Sequence, residues 1–320
     1  MKRRLLIFLL VLLLAAGVAA ANDELLGWDA SGLSNYGPIL PWAPTTIGSP
    51  IAANSVVGLT RGSGIKKPSG TSTNHGWGSF GWSQQDEMDA NLDMNENYFT
   101  FQFTVASGYS ISLSEVDESY KRSATAPNAG ALQYSLDGGA NYTDFASFAF
   151  TNSSSDGDKV SASLTGTAPL QHLAAGTTVM FRQTNWYANA TPDKSAVWYI
   201  YNNISGDDFS FYGNVVGDIN QDNAVNAKDV TVMLDALTNG AGFEPSYGLS
   251  PEQAANILDV NNDHQVNNSD LQWLLNYLKA GNGNVSEVPE PSSFLLGIMA
   301  VAAVALSGIK SQCRCREMCQ

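Results

Sequence analysis

Apolar and polar residues alternate with a period of two along much of the segment 22–213. Between residues 98 and 105, Phe99, Phe101, Phe103 and Val105 fall on one face, and polar side chains fall on the other. Alternation of this kind predicts a β-strand with one buried face. Similar short segments recur at 109–114, 132–136, 145–150, 160–164, 179–183, 197–201 and 209–212.

Residues typical of turns separate these predicted strands. The sequence Asp137-Gly138-Gly139, for example, suits a hairpin connection. Many short strands, each with one apolar face, predict two sheets packed against each other. We therefore predict a mainly β chain whose segment 22–213 folds as a jelly-roll-like β-sandwich. Many exported carbohydrate-binding modules have such folds, but this is an analogy of fold alone.

The hydrophobic period changes from two to that of a helix after residue 213. Two helices are predicted at 230–237 and 271–278, because their apolar residues recur every three or four positions. The residues on these apolar faces are Val230, Met233, Leu234 and Leu237, then Leu271, Leu274, Leu275 and Leu278. A shorter helix is predicted to begin at Pro251, after Ser250 as N-cap, and to end at residue 258.

A twelve-residue loop precedes each of the two longer helices. The loops 218–229 and 259–270 align without gaps, with Asp or Asn at positions 1, 3, 5, 9 and 12. Calcium prefers six to eight hard oxygen ligands, which carboxylates, amides and one backbone carbonyl at position 7 supply. The expected ligands are Asp218, Asn220, Asp222, Ala224, Asn226 and Asp229 in one loop, and Asp259, Asn261, Asp263, Gln265, Asn267 and Asp270 in the other.

Two features separate these loops from a standard EF-hand. Position 6 carries Asn223 or His264 in place of glycine, and both residue types reach positive φ more readily than most. Position 12 carries aspartate in place of the longer glutamate. The loops therefore still predict two bound calcium ions, with a positive φ expected at position 6.

Two such loops, each followed by its own helix and joined by a short one, resemble a type I dockerin domain. The resemblance covers 214–281 and implies a small α-helical module with two EF-hand-like calcium loops and a cohesin-like partner. In that family, partner recognition concentrates at loop positions 10 and 11. These positions are Ala227 and Lys228 in one loop and Asn268 and Ser269 in the other, not the Ser-Thr pair common in that family.

Both chain ends carry the signature of export. Residues 1–4 are basic, 5–16 are apolar, and small residues follow at 19–21, which predicts a signal peptide over 1–21 and cleavage by signal peptidase. The other end contains a linker at 282–293, an apolar segment at 294–309 and a basic tail at 310–320. Positive charge after the apolar segment predicts a membrane helix with a cytoplasmic tail.

Pro289, Glu290 and Pro291 stand in the linker before this predicted membrane helix. Their order with the helix and the basic tail resembles a PEP-CTERM sorting signal. The resemblance implies processing by an exosortase, transient anchoring by the C-terminus, and a final location at the cell surface or outside the cell. A plain C-terminal anchor is the alternative.

The charge of the chain excludes one class of partner. Residues 22–290 contain 10 Lys and Arg against 29 Asp and Glu, which gives a net charge of −19. Because such a surface repels phosphate backbones, we exclude nucleic acid.

Three tryptophans are candidates for stacking on sugar rings: Trp77, Trp82 and Trp186. Packing in the core is the alternative for each of them. Carboxylate pairs for glycoside hydrolysis are available among Glu115, Asp117 and Glu118, but any acidic surface offers such pairs, so ordinary surface charge is the better explanation and we assign no catalytic residue.

The sequence thus favours an exported, calcium-binding, non-catalytic surface or matrix protein that assembles through a dockerin and associates with exopolysaccharide. Two alternatives stay open for the sandwich. In the first, the sandwich is a polysaccharide-active glycoside hydrolase or lyase. In the second, it is a carbohydrate-binding module without catalytic activity.

Overall fold

The computed structural model describes residues 23–69, 75–82, 96–151, 156–187, 195–202, 205–222, 224–239 and 251–283. The strands in this part of the chain are β1 Asp23–Trp28, β2 Thr46–Ile47, β3 Val57–Arg61, β4 Gly76–Ser79, β5 Tyr98–Thr104, β6 Ile111–Arg122, β7 Ala129–Ser135, β8 Thr143–Ala149, β9 Asp158–Ser163, β10 Thr178–Trp186, β11 Trp198–Tyr201 and β12 Phe209–Val215. The helices are α1 Ala227–Asn239, α2 Pro251–Leu258 and α3 Asn268–Lys279.

The strands form two antiparallel sheets. The larger one has seven strands in the order β2-β1-β12-β6-β11-β4, with β9 also paired to β6. The smaller one has five strands in the order β3-β5-β10-β7-β8. The predicted β-sandwich followed by a small helical region is therefore confirmed.

Aromatic rings from both sheets fill the interior of the sandwich. Phe99, Phe101 and Phe103 on β5 are fully buried, as their alternation predicted. The ring of Phe101 stacks on Phe181 of β10 at 5.0 Å, and Phe209 of β12 meets Phe101 from the opposite sheet at 5.5 Å. Burying a phenylalanine side chain stabilises a fold by about 1.5–3 kcal/mol, so this cluster is a major part of the core.

The sequence did not predict the first four strands. Leu25 and Leu26 of β1 are both buried, because the pairing with β12 shifts register between Glu24 and Leu26. A strand that contains such a bulge loses its period-two alternation. In β4, glycines at positions 76 and 78 replace the polar residues that would have marked the alternation.

The helical region has a hydrophobic core of its own. Met233 of α1 and Leu274 of α3 are fully buried there, beside Val225 from the first loop. The three predicted helices are confirmed, but two leucines differ from the predicted faces. Leu234 and Leu275, which occupy equivalent positions in the repeat, are 46% and 42% exposed.

The helical region is joined directly to the sandwich. The strand β12 runs on to Val215, past the predicted boundary at 213, and the next amide, Val216 N, donates to Ser110 O at 2.8 Å. The hydroxyl of Tyr277 on α3 donates to Gly108 O at 2.9 Å. Backbone and side-chain bonds thus connect the helices to the turn before β6.

The predicted signal peptide, Pro-Glu-Pro motif, membrane segment and basic tail lie outside the described residues. Within the described ranges, none of the helices has the length and apolar character required to cross a membrane.

Candidate calcium loops

The first loop closes around the carboxylate of Asp229. This residue lies in the first turn of α1, while the loop begins at the end of β12. One carboxylate oxygen of Asp229 accepts the backbone N–H groups of Ile219 at 2.8 Å and Asn220 at 3.1 Å, and the other accepts Asn226 N–H at 2.7 Å. A single side chain therefore joins the beginning of the loop to its end.

Short polar side chains form the turn within the first loop. The amide of Asp222 donates to Asp218 Oδ1 at 3.1 Å and to Asn220 Oδ1 at 2.9 Å. The side-chain amide of Asn226 donates to the carbonyl of Ala224 at 2.9 Å. These bonds bring the side-chain oxygens of positions 1 and 3 to the same amide of the turn.

The second loop repeats these bonds at equivalent positions. The amide of Asp263 donates to Asp259 Oδ1 at 3.0 Å and to Asn261 Oδ1 at 2.9 Å. The carboxylate of Asp270 accepts Asn261 N–H at 3.3 Å and Asn267 N–H at 2.8 Å, which forms a capping box at the start of α3. Two loops with the same bonding pattern indicate a genuine structural duplication and not two unrelated turns.

The positive φ predicted at position 6 is confirmed for His264, at 64°. Asn223, its equivalent in the first loop, lies outside the described residues. The structure also shows positive φ at position 4 of both loops, for Gln221 at 59° and Asn262 at 60°. These two values were not predicted: glutamine carries no marked preference for the left-handed region, and Asn262, which does, aligns with that glutamine and not with a second asparagine.

The aspartates at positions 1 and 12 are buried. The exposed fractions are 5% for Asp218, 0% for Asp229, 8% for Asp259 and 0% for Asp270. Burial raises the pKa of the Asp229 and Asp270 carboxyls, and the backbone N–H groups that they accept oppose this effect. Among the described residues, neither of these two carboxylates forms an ion pair with a lysine or arginine.

The donor atoms of both loops fit a hard divalent cation. All predicted ligands offer oxygen, and buried carboxylates require a cation or hydrogen-bond donors as compensation. In the described part of the chain, no three His, Cys, Asp or Glu side chains converge as a metal site.

Comparison with known families identifies this segment. Residues 216–279 match the family model described as the dockerin type I domain. This segment is a type I dockerin domain. The match covers about one fifth of the chain and does not extend to the sandwich. No curated protein matches the chain.

Solved structures similar to this chain are distant. The N-terminal CBM22 tandem domain of Paenibacillus barcinonensis Xyn10C is 14% identical with a TM-score of 0.28, covering 62% of this chain and 48% of that chain. A carbohydrate-binding module specific for non-crystalline cellulose, CBM28, is 11% identical with a TM-score of 0.26, covering 49% and 82%. The C-terminal domain of a Bacteroides fragilis chitobiase is 10% identical with a TM-score of 0.22, covering 37% and 65%.

This chain spans less than two thirds of two of these structures. It covers 48% of the tandem domain and 65% of the chitobiase domain.

The residues at positions 10 and 11 of the dockerin loops are exposed in both copies. Ala227, Lys228, Asn268 and Ser269 all lie at the start of α1 or α3. The ammonium group of Lys228 lies 3.1 Å from a carboxylate oxygen of Asp222, a predicted calcium ligand. Lys228 thus places a positive charge at position 11 of the first loop. The equivalent residue of the second loop, Ser269, is uncharged.

The second loop also faces the sandwich across a cavity. This cavity has a volume of about 250 Å³ and is lined by Ser112, Gln171 and His172 of the sandwich and by Asp259 and His264 of the loop. The desolvated imidazole of His172 has a lowered pKa, which the nearby dockerin carboxylates Asp259 and Asp270 partly oppose. The two dockerin loops therefore differ in their surroundings.

The tryptophans predicted as sugar-stacking candidates are buried. The exposed fractions are 1% for Trp77, 2% for Trp82 and 8% for Trp186. Trp77 and Trp82 belong to the sandwich core, where Trp82 meets Trp198 edge-on at 5.7 Å. Because a sugar needs an open ring face, this burial favours the core-packing alternative for all three.

Of the three carboxylates considered for hydrolysis, Glu115 and Asp117 lie beside each other, while Glu118 is enclosed apart from them. Glu118 is fully buried between the sheets, where Gln183 Nε2 donates to its oxygens at 2.9 Å and 3.1 Å. This burial raises the pKa of Glu118 to about 8. Asp117 pairs instead with Lys159, at 2.6 Å.

Sequence reasoning missed one group of half-buried aromatic residues, Tyr36, Tyr199 and Tyr201. The alternation in β11 pointed to an outward face for the last two. The position of Tyr36 beside them depends on the fold.

Proposed function

We propose that this chain is an exported, calcium-binding, non-catalytic surface or matrix protein that is attached or assembled through its dockerin. The observation that carries the proposal is the duplicated loop, whose aspartates at positions 1 and 12 accept equivalent backbone N–H groups in both copies, in the segment that matches the dockerin family. Calcium, when bound, neutralises the clustered carboxylates of each loop. The residues proposed to hold two ions are the twelve predicted from the sequence.

The partner that we propose is a cohesin-like domain. Dockerins are interaction modules, and the start of each long helix presents its position 10 and 11 residues to solvent. The exposed Leu234 and Leu275, about two turns further along α1 and α3, add an apolar contact to each surface. Lys228 favours an acidic group on the partner over a basic one.

The proposed sorting and location depend on the sequence features near both ends of the chain. The predicted signal peptide supports export and cleavage near residue 22, and the PEP-CTERM-like signal supports processing at Pro289–Pro291 by an exosortase. The dockerin supports an extracellular or cell-surface location, since an assembly module of this type acts outside the cell.

Calcium titration of the full chain tests this proposal. Circular dichroism at 222 nm reports the three helices, and we expect the helical signal to rise with calcium and fall with chelator. The variant with both Asp218→Ala and Asp259→Ala lacks the first ligand of each loop and should not respond. A helical signal that is the same in calcium and chelator would show that the calcium assignment is wrong.

Carbohydrate binding by the sandwich is a second candidate function. The observation that favours it is the group of half-buried tyrosines on the outer face of the seven-stranded sheet. A hydrolase or lyase has less support, because Glu118 is enclosed in the core and Asp117 is paired with Lys159. Release of reducing sugar from a polysaccharide would nevertheless establish the enzyme alternative.

A further inference from the structure

Three tyrosine side chains meet on the outer face of the seven-stranded sheet, where β11 pairs with β4. Tyr199 and Tyr201 belong to β11, and Tyr36 comes from the loop between β1 and β2. The ring of Tyr199 lies 5.7 Å from that of Tyr36 and 5.6 Å from that of Tyr201, with an interplanar angle of 89° in both contacts. We call these three residues the tyrosine cluster.

The neighbouring strand β4 has no side chains beside the cluster. Gly78 pairs with Tyr199, and Gly76 pairs with Tyr201. A Cβ atom at Gly78 would lie 2.4 Å from Tyr199 Cβ, and one at Gly76 would lie 2.5 Å from Tyr199 Cδ2. The Tyr199 ring therefore lies against the backbone of the edge strand β4, where glycine leaves room for it. Any larger residue at position 76 or 78 would displace the ring.

A strained and braced loop holds Tyr36 in place. Asn35 and Tyr36 have φ values of 53° and 59°, and Gly37 continues the left-handed run at 77°. The guanidinium of Arg61 donates to the carbonyls of Tyr36 at 2.9 Å and Gly78 at 2.7 Å, which ties the loop to β4. Non-glycine residues at positive φ cost about 1 kcal/mol or more each, so this conformation persists only because surrounding bonds enforce it.

A lysine lies on the same face as the cluster in an otherwise acidic protein. Lys121 of β6 pairs with Tyr199, and its ammonium group lies 4.5 Å from the ring centroid of Tyr201. Lys66, which is exposed and pairs with Phe80 just after β4, adds a second basic residue near this edge of the sheet, although residues 22–290 carry a net charge of −19. Arg61 and Arg122 add no charge to this face, because Arg61 lies over the buried ring of Trp77, and Arg122 pairs with the buried Trp198 and donates to Phe150 O.

We propose that the tyrosine cluster binds an acidic polysaccharide, with a uronate ring packed on Tyr199 and its carboxylate paired with Lys121. The inference rests on the proposed association of this protein with polysaccharide and adds the site and the class of sugar. The aromatic rings supply apolar contact for the C–H face of a pyranose, and the ammonium group supplies charge complementarity. A nucleic acid is a poorer occupant, because the rest of the acidic surface repels its longer run of phosphates.

Affinity gel electrophoresis of the purified full chain tests this inference, with polygalacturonate as the acidic probe and dextran as the neutral one. We expect polygalacturonate to retard the protein and dextran to leave its mobility unchanged. Tyr199→Ala and Lys121→Gln should each weaken binding by about tenfold, and added salt should weaken it further. Tyr199→Phe keeps the ring and should retain the affinity of the unmodified chain.

Matched controls come from other surfaces of the same chain. Tyr142→Ala removes a half-buried tyrosine that contacts Arg182 on the five-stranded sheet, and Lys279→Gln removes an exposed charge on α3. Neither change should alter retardation. Thermal unfolding of Tyr199→Ala checks that the sandwich is folded. If Tyr199→Ala does not fold, Lys121→Gln and Tyr199→Phe still test the site, because the first should weaken binding and the second should not.

Several outcomes would overturn the inference. These are absence of retardation by polygalacturonate, equal retardation by dextran, a loss of binding in Tyr199→Phe, or an equal loss in Tyr142→Ala. Because the cluster lies outside the dockerin, retardation should persist after chelation of calcium. Failure of the calcium titration therefore contradicts the proposed dockerin function alone, and failure of retardation contradicts the sugar site alone.

Discussion

Replacing Asp229 with alanine should destabilise the dockerin even without calcium. The carboxylate of Asp229 is fully buried and accepts three backbone N–H groups, those of Ile219, Asn220 and Asn226, at 2.7–3.1 Å. Hydrogen bonds to a charged group contribute about 1.5–3 kcal/mol each. Desolvation of the carboxylate and access of water to the opened loop reduce the total, so we expect a loss of about 3–5 kcal/mol in the free energy of unfolding of this module.

Calcium should widen the difference between the variant and the unmodified chain. Extracellular calcium modules bind with dissociation constants of about 10⁻⁴–10⁻³ M, so about 10 mM free calcium stabilises each loop by roughly 1.4–2.7 kcal/mol. Asp229→Ala removes the proposed ligand at position 12 and should lose the contribution of the first loop. The second loop, with Asp270 intact, should keep its own.

Urea unfolding of the full chain, followed by circular dichroism at 222 nm, measures both effects in calcium and in chelator. Asp235→Ala is the matched control, because Asp235 lies on the exposed side of the same helix. It should change the midpoint little and leave the calcium effect intact. If the two variants lose the same stability, or if calcium stabilises Asp229→Ala as much as the unmodified chain, our account of the loop is refuted.

Three further predictions concern the sandwich and the termini. The pKa of Glu118 is raised by burial to about 8 in the folded chain, so the unfolded chain binds fewer protons and stability should fall by about 1.4 kcal/mol per pH unit between about pH 4.5 and 8. Glu118→Gln should abolish that slope in urea unfolding at fixed calcium, and equal slopes in both chains would contradict the buried neutral carboxyl. Arg61→Lys should cost about 2–4 kcal/mol in thermal unfolding, because lysine cannot replace the five hydrogen bonds of the guanidinium. Intact-mass analysis of protein from the native host should show a chain that begins near residue 22 and ends near 289–291, and a mass that includes 294–320 would favour the plain anchor.

Local sequence patterns were sufficient to predict the fold class and the duplicated loops of the dockerin. The alternation of Phe99, Phe101 and Phe103 specifies a one-faced strand through the geometry of the backbone alone, and the strand formed as predicted. The loops are equally local, since positions 1 to 12 supply their own side-chain acceptors and their own turn. Such features need no information from distant parts of the chain.

Tertiary structure decided which aromatic residues are exposed. Trp77 lies between two glycines, where no alternation shows which face of the strand it occupies, while the alternation in β11 indicates only that Tyr199 lies opposite Trp198. The pairing of β4 with β11 turns Trp77 into the core and leaves Tyr199 on the outer face, because a strand's two faces are distinguished only by which sheet packs against it. The brace from Arg61 to Tyr36 is likewise absent from any local pattern, since the two residues are 25 positions apart.

The junction between the two modules also depended on the three-dimensional fold. The sequence marked a change of period after residue 213, and β12 in fact continues to Val215 and bonds directly into the dockerin. The hydrogen bond from Tyr277 to Gly108 joins residues that are 169 positions apart, and a local sequence pattern cannot predict a contact over that distance. The sequence determined what each module is through its local repeats, while long-range packing decided which surfaces each module offers to a partner.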